Sequence, residues 1–239
     1  MNFIMTAPRR AADDPHFRPA AVLWDFDGTM VDTEPIWIEV ETEILADHGT
    51  PWTHEQGAAL CGTAWQYASQ VMIEAIGDPS IDPWEFYVRR STMVAERIRD
   101  GRMPWRAGAQ ELLEDLFERG VPCAVVSASP QHVLAAGLSR IEPGRVQVVV
   151  NGDDVTVGKP DPEGYLLAAS RLSVSAPHCV VLEDSPSGCA AGRNSGAVVL
   201  AVPCMTPLEE TAGQVIRASL AGVDTDTLGQ LWAAHRISR

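Results

Sequence analysis

Ala21-Val22-Leu23-Trp24-Asp25-Phe26-Asp27-Gly28-Thr29-Met30-Val31-Asp32-Thr33-Glu34 is the stretch from which the fold is read. Its apolar residues 21–24 are too few for a helix and enough for a buried strand, and Gly28-Thr29 stops that strand with a turn. Asp25 and Asp27 therefore stand at a strand's carboxyl end. In a parallel α/β sheet, ligands bind outside that end, and residues two apart on a strand face the same way. Two neighbouring carboxylates in a partly dry cleft repel unless a cation lies between them or one keeps a proton. The pair points to a divalent metal, to an acid/base couple, or to both. In isolation an Asp-x-Asp is more often a turn whose carboxylates satisfy local amides.

Outward from this stretch the chain changes character twice. Residues 34–103 lack strand-like runs and read as helices separated by Gly49-Thr50-Pro51, Gly57, Gly62 and Gly77-Asp78-Pro79. After Pro104 a helix with Leu112, Leu113, Leu116 and Phe117 precedes Gly120 and the strand-like 121–126. Helix and apolar strand then alternate through 146–150, 179–182 and 197–202. That alternation predicts βαβ units and a parallel sheet. The expected architecture is a Rossmann-like α/β core, residues 20–33 and 104–239, with an all-helical cap inserted at 34–103. Residues 1–19 read as a disordered tail in which Met5 is an alternative start.

Three later strands end in residues with chemical handles. The strand at 121–126 runs into Ser127-Ala128-Ser129-Pro130, which places hydroxyls and amides where a helix begins, a setting suited to phosphate and equally to a serine cap. Gly158-Lys159-Pro160-Asp161-Pro162 holds one of only two cations between residues 146 and 192, the other being Arg171, in a loop braced by prolines. Val180-Val181-Leu182 leads to Glu183-Asp184-Ser185-Pro186-Ser187-Gly188. Adjacent acids ending a core strand are costly unless they meet a cation or water. They suit magnesium, a hard ion that takes oxygen ligands.

Asp25-Phe26-Asp27-Gly28-Thr29, Ser127, Lys159 and Glu183-Asp184, each in order and each at a strand end, resemble the four motifs of the haloacid dehalogenase superfamily. The likeness covers roughly residues 20–230, with the helical insert at the family's cap position. It implies an Mg2+-dependent phosphomonoester hydrolase with an aspartyl-phosphate intermediate. Asp25 is then the nucleophile, Asp27 the acid/base, and Lys159 the cation that offsets charge between nucleophile and phosphate. Asp25, Asp27 through its main chain, Asp184 and Glu183 are the implied metal ligands, Glu183 directly or through water. Implied substrate contacts in the core are Gly28, Thr29, Ser127 and Ala128; in the cap, Trp65, an aromatic beside the hinge-like Gly62, reads from its own chemistry as lining the pocket.

Asp32-Thr33-Glu34-Pro35-Ile36-Trp37 further resembles the β-phosphoglucomutase-like group, within which it is closest to sugar-phosphate phosphatases. Mutases of that group carry a histidine ten residues after the acid/base aspartate and an arginine in the cap loop. Here the corresponding residues are Trp37 and, near Gly62, Trp65. The expected substrate is accordingly a small sugar phosphate or related metabolite with water as acceptor. Alternatives are a phosphoglucomutase-type transferase and a non-catalytic binding protein on the same scaffold. Among the other cap aromatics, Trp52 and Trp84 fit either a core or a substrate wall. His48, His54, His132 and His178 show no metal-ligand spacing.

The whole-chain numbers agree with a globular protein that can bury a full core: 239 residues, 46% hydrophobic and 21% charged. Against 32 Asp and Glu stand 18 Lys and Arg, a net charge of −14. Such a surface repels nucleic acid and anionic membranes, so neither is an expected partner. An anionic metabolite requires local cations. Five cysteines form no C-x-x-C pair, and an odd number cannot close completely into disulfides, which fits a reduced cytoplasm. The family resemblance implies a monomer or weak dimer.

Overall fold

The computed structural model describes residues 18–60, 63–101 and 104–237. Its centre is a six-stranded sheet of β1 (Ala21–Trp24), β2 (Cys123–Val126), β3 (Val148–Val150), β4 (Cys179–Glu183), β5 (Val198–Ala201) and β6 (Gln214–Ile216). The order is β3-β2-β1-β4-β5-β6, and every pairing is parallel. β1, β2, β4 and β5 are buried along their whole length, as strands covered on both faces must be, which is why they read as unbroken apolar runs.

Strand alternation divides the interior. Val22 and Trp24 of β1 face one apolar cluster with α5 (Ala109–Glu118), α6 (Gln131–Leu138) and α9 (Thr225–Ile237). Ala21 and Leu23 face a second cluster with α7 (Glu163–Arg171) and α8 (Pro186–Asn194). The chain leaves β1 toward β2 and β3, then returns to the other side of β1 to lay down β4. This reversal opens a crevice between the carboxyl ends of β1 and β4, where α/β sheets bind ligands.

Between β1 and α5 the described residues form helices α1 (Glu34–Asp47), α2 (His54–Ala58), α3 (Trp65–Ile76) and α4 (Pro83–Arg99), the inserted helical cap. Asp82 starts α4 sharply: its carboxylate accepts from Trp84 N at 3.0 Å and Glu85 N at 2.9 Å, with Pro83 in the first turn. α4 packs on α1 and α3 and leans on core helix α6, where His132 Nε2 lies 3.0 Å from Ser91 Oγ.

Some local expectations are corrected. Gly57 lies inside α2 rather than between helices, because a Cβ there would meet Ile38 at 3.0 Å and Glu41 Oε2 at 3.2 Å, so its absence lets α2 approach α1. Phe117 is exposed beneath the Arg145 guanidinium, 4.0 Å from its ring centre, and Leu166 is also exposed. β6 was not anticipated, since a three-residue, partly exposed edge strand has no apolar run to announce it. Of the expected tail, 1–17 lie outside the described residues; Arg18 donates to Arg119 O at 3.2 Å and Ala20 N to His178 O at 2.7 Å. No helix among the described residues is long and apolar enough to cross a membrane.

Candidate active site

The register of β1 against its neighbours sets the site. Trp24 pairs with Leu182 on one side and Val125 on the other, so the next residues, Asp25, Glu183 and Val126, arrive side by side at the sheet's carboxyl edge. Asp25 N donates to Leu182 O at 2.9 Å, which fixes the residue's backbone to β4. Into this edge the loop after β3 brings Lys159, the only lysine in the chain. Its ammonium donates to Asp25 Oδ1 at 2.6 Å, Glu183 Oε1 at 2.7 Å and Val126 O at 3.2 Å. All three of its protons are thereby engaged. Burial alone would depress this ammonium's pKa, but Asp25 and Glu183 more than reverse that and hold it well above the usual lysine value.

Glu183 is fully buried, and both its oxygens are taken. Besides Lys159, Tyr165 OH donates to Oε1 at 2.8 Å, while Asp184 N at 3.0 Å, Ser185 N at 3.1 Å and Ser185 Oγ at 3.1 Å all donate to Oε2. Burial and then Glu183's charge raise the Tyr165 phenol well above its ordinary pKa, keeping it a donor. Gly188 gives this carboxylate its room: a Cβ there would fall 1.6 Å from Glu183 Oε1.

Asp25 and Asp184 are differently placed. Burial raises the Asp25 carboxyl well above the usual range, with Lys159 opposing, and raises Asp184 to about 7, with Glu183 adding to the effect and Lys159 opposing it. Asp25 Oδ2 is buried with no hydrogen-bond partner. Asp25, Glu183 and Asp184 each offer an oxygen within 4.8 Å of the others. Raised, adjacent carboxyls and an unpartnered buried oxygen are the state a divalent cation relieves, and an all-oxygen donor set fits Mg2+. Glu183's commitment to its donors leaves Asp25 and Asp184 as the carboxylates free to serve. Gly28, at φ +84°, clears the space beside Asp184, whose Oδ2 would lie 2.2 Å from a Cβ at that position.

Asp27 turns its carboxylate toward hydroxyls instead. It accepts from Thr33 Oγ1 at 2.5 Å, Ser129 Oγ at 2.6 Å and Ser127 Oγ at 3.1 Å. Ser127 also accepts from Ser129 N at 2.9 Å, which braces the loop after β2.

Asp25, Asp27, Ser127, Lys159, Glu183 and Asp184 are thus brought together by four strand ends. Thr29 is instead fully buried, its hydroxyl 3.5 Å from Asp184 Oδ1, so it backs an acid rather than facing the crevice. Ala128 is exposed in the loop after β2. Trp65 begins α3 and stacks on Tyr87 of α4, whereas Trp52 belongs to the apolar core. Gly62 lies outside the described residues. Thr33, Ser129, Tyr165 and Tyr87 were missed; only Ser129 carried a signal, standing two residues after Ser127.

A parallel sheet with three acids and a half-buried lysine at its switch point, beneath a helical cap, defines a capped α/β protein with an acidic, cation-ready site. The chain belongs to the haloacid dehalogenase-like hydrolase family, whose model matches residues 22–202. It is 31% identical over 177 residues to the phosphorylated carbohydrates phosphatase of Thermotoga maritima, covering 74% of this chain and 81% of that protein. It is also 31% identical over 209 residues to the bifunctional riboflavin kinase/FMN phosphatase of Arabidopsis thaliana, covering 84% of this chain but only 54% of that longer protein. Among solved structures, CbbY from Rhodobacter sphaeroides in complex with phosphate superposes with a TM-score of 0.76 at 25% identity, covering 88% of this chain and 99% of the other.

Proposed function

We propose that the chain is a divalent-metal-dependent phosphatase that hydrolyses the phosphomonoester of a small metabolite, with Asp25 as nucleophile. The observation that carries this reading is the division of labour at Asp25: Oδ1 held by Lys159 at 2.6 Å, Oδ2 buried and unpartnered beside Asp184. The named phosphatase relatives and the phosphate-bound structural neighbour support the substrate class.

In the first half-reaction Asp25 forms a bond to phosphorus, the bond to the leaving oxygen breaks, and Asp27 supplies the proton that oxygen needs. In the second, water attacks the aspartyl-phosphate and gives its proton to Asp27, releasing Asp25 and phosphate. The hydroxyls of Thr33, Ser127 and Ser129 hold the Asp27 carboxylate in position between these transfers. Lys159 offsets charge between Asp25 and the phosphoryl oxygens, and Glu183 holds Lys159. Asp25 and Asp184 are the side chains that would hold Mg2+, which when bound neutralises phosphoryl charge and favours ionised Asp25.

A phosphate-release screen over several dozen phosphorylated metabolites tests this directly. Turnover should require Mg2+, stop with a chelator and vanish in Asp25→Asn; activity surviving that substitution would overturn the reading.

A further inference from the structure

The cap carries an aromatic cluster where α3 and α4 meet. The rings of Trp65 and Tyr87 stack at 4.9 Å and 20°, and Trp84 closes against them at 5.2 Å and 5.6 Å while remaining half exposed. The Arg90 guanidinium extends the wall inward, 5.9 Å from the Tyr87 ring and 5.1 Å from that of Trp37.

Its position follows from the cap–core contact. Ser91 of α4 meets His132, three residues beyond Ser129, and Ser129 touches Asp27. Tyr87 stands one turn from Ser91 on the same face of α4, about 6 Å along the axis. Burial is the main cause raising Tyr87's phenol pKa, and the charges of Asp153 and Asp27 add to it, so the ring lies within electrostatic reach of both. Asp27 is the group that meets the leaving oxygen in the proposed reaction.

The cations nearby are already committed. Arg90 is buried and donates to Glu41 Oε1 at 3.1 Å; Arg89 pairs with Asp47 at 2.6 Å; Arg97 pairs with Glu39 at 3.3 Å and also with Glu43. Residues 34–101 contain no lysine, and their one further arginine, Arg99, sits three turns beyond Tyr87 at the far end of α4. Glu34, at the start of α1, bears on Asp184 from the cap side and adds negative charge.

Building on the phosphatase reading, we propose that the Trp65–Tyr87–Trp84 wall selects substrates whose leaving group is a neutral, flat-faced ring, pyranose or aryl. The wall offers rings a stacking face, and among the described residues beside it a second anion finds no cation outside an ion pair. Bisphosphates and carboxylated phosphates are therefore disfavoured.

The test compares kcat/KM for phenyl phosphate, a hexopyranose 6-phosphate, a hexose bisphosphate, phosphoglycolate and methyl phosphate, whose leaving group is too small to stack. Wild type should prefer the two ring monophosphates over the two doubly anionic substrates by about tenfold or more. In Trp65→Ala and Tyr87→Ala the ratio of ring monophosphate to methyl phosphate should fall about tenfold, chiefly through KM, and Trp65→Phe should restore it. A wild-type preference for the bisphosphate or phosphoglycolate, or an equal loss on methyl phosphate and rings, overturns the inference while leaving the phosphatase reading intact. Phosphate release from none of the five, with release from other metabolites of the wider screen, overturns the inference alone; release from nothing in that screen overturns both.

Discussion

The molecule buries two clusters of charge and finishes them differently. In the core, Lys159 and Glu183 satisfy one another and their neighbours, leaving Asp25 Oδ2 as the unpartnered carboxylate oxygen at the crevice. In the cap, the Arg90–Glu41 pair leaves Arg90 Nε without a partner, Ser69 Oγ likewise has none, and Trp52 is the further group that bears on the Glu41 carboxylate. Burial pushes Glu41 up to about 7 and pushes Arg90 down, so each charged form resists its surroundings despite the other. The desolvation of a buried pair in that state can outweigh the attraction between its members. The core cluster leaves an oxygen open to a cation at the crevice, whereas the cap pair holds its cation beside the aromatic rings of Trp37 and Tyr87.

The contrast is broken most severely at Lys159. Lys159→Met should lower kcat about 1,000-fold, in line with losing a charge-stabilising donor. It should also lower folding stability by roughly 3–5 kcal/mol, because Asp25 and Glu183 lose their counter-ion. Phosphate-release kinetics and denaturant unfolding measure the two effects.

Gly188→Ala strikes the same cluster from behind. With a Cβ only 1.6 Å from Glu183 Oε1, the carboxylate must move and loosen its hold on Lys159. The expected result is an activity loss of about 100-fold, mainly in kcat, with the fold retained by circular dichroism.

In the cap the order of effects should invert. Arg90→Met alone should cost roughly 3 kcal/mol, while Arg90→Met combined with Glu41→Leu should be neutral or stabilising by about 1–4 kcal/mol. Urea unfolding of the two single variants and the double variant reads this; a double variant as unstable as the sum of its singles would mean that the pair stabilises the cap.

The last effect, spread over a pH window and only partly developed at neutral pH, is that of Glu41. Glu41's pKa rises from 4.5 to about 7 on folding, so the folded chain holds this proton more tightly than the unfolded one. The associated stability is fully present below about pH 4.5 and is lost as pH rises through 7. Relative to Glu41→Gln, wild type should lose up to roughly 3 kcal/mol across that window. Parallel stability curves for the two proteins would remove Glu41 as the source.

The acidic and basic groups of the core were legible because each follows a strand, and parallel strands deliver such residues to one edge. In the sequence Asp184 reads as the direct metal ligand and Glu183 as a ligand directly or through water, with nothing to tell what else Glu183 holds. Glu183 is the last residue of β4 and is fully buried, while Asp184 stands one step beyond, at the crevice. That one-residue difference separates a group that holds Lys159 from one free to take a cation. Tyr165 read as one more apolar helix residue, since its hydroxyl finds Glu183 only when α7 packs on the sheet. The Trp65–Tyr87 stack joins residues from α3 and α4, and no local pattern records which faces of two cap helices will meet. β6 escaped because only one of its three residues is buried.

Lys159 has a practical consequence as well. A chain of 239 residues with one lysine presents amine-directed reagents with one ε-amino target, and here that amine is engaged on all three protons. Acylation or reductive alkylation read at the single ε-amine is therefore a footprint of the crevice: the rate at which Lys159 is tagged reports how often its network opens, and under the proposed function a bound phosphate ester should register as protection without any measurement of turnover.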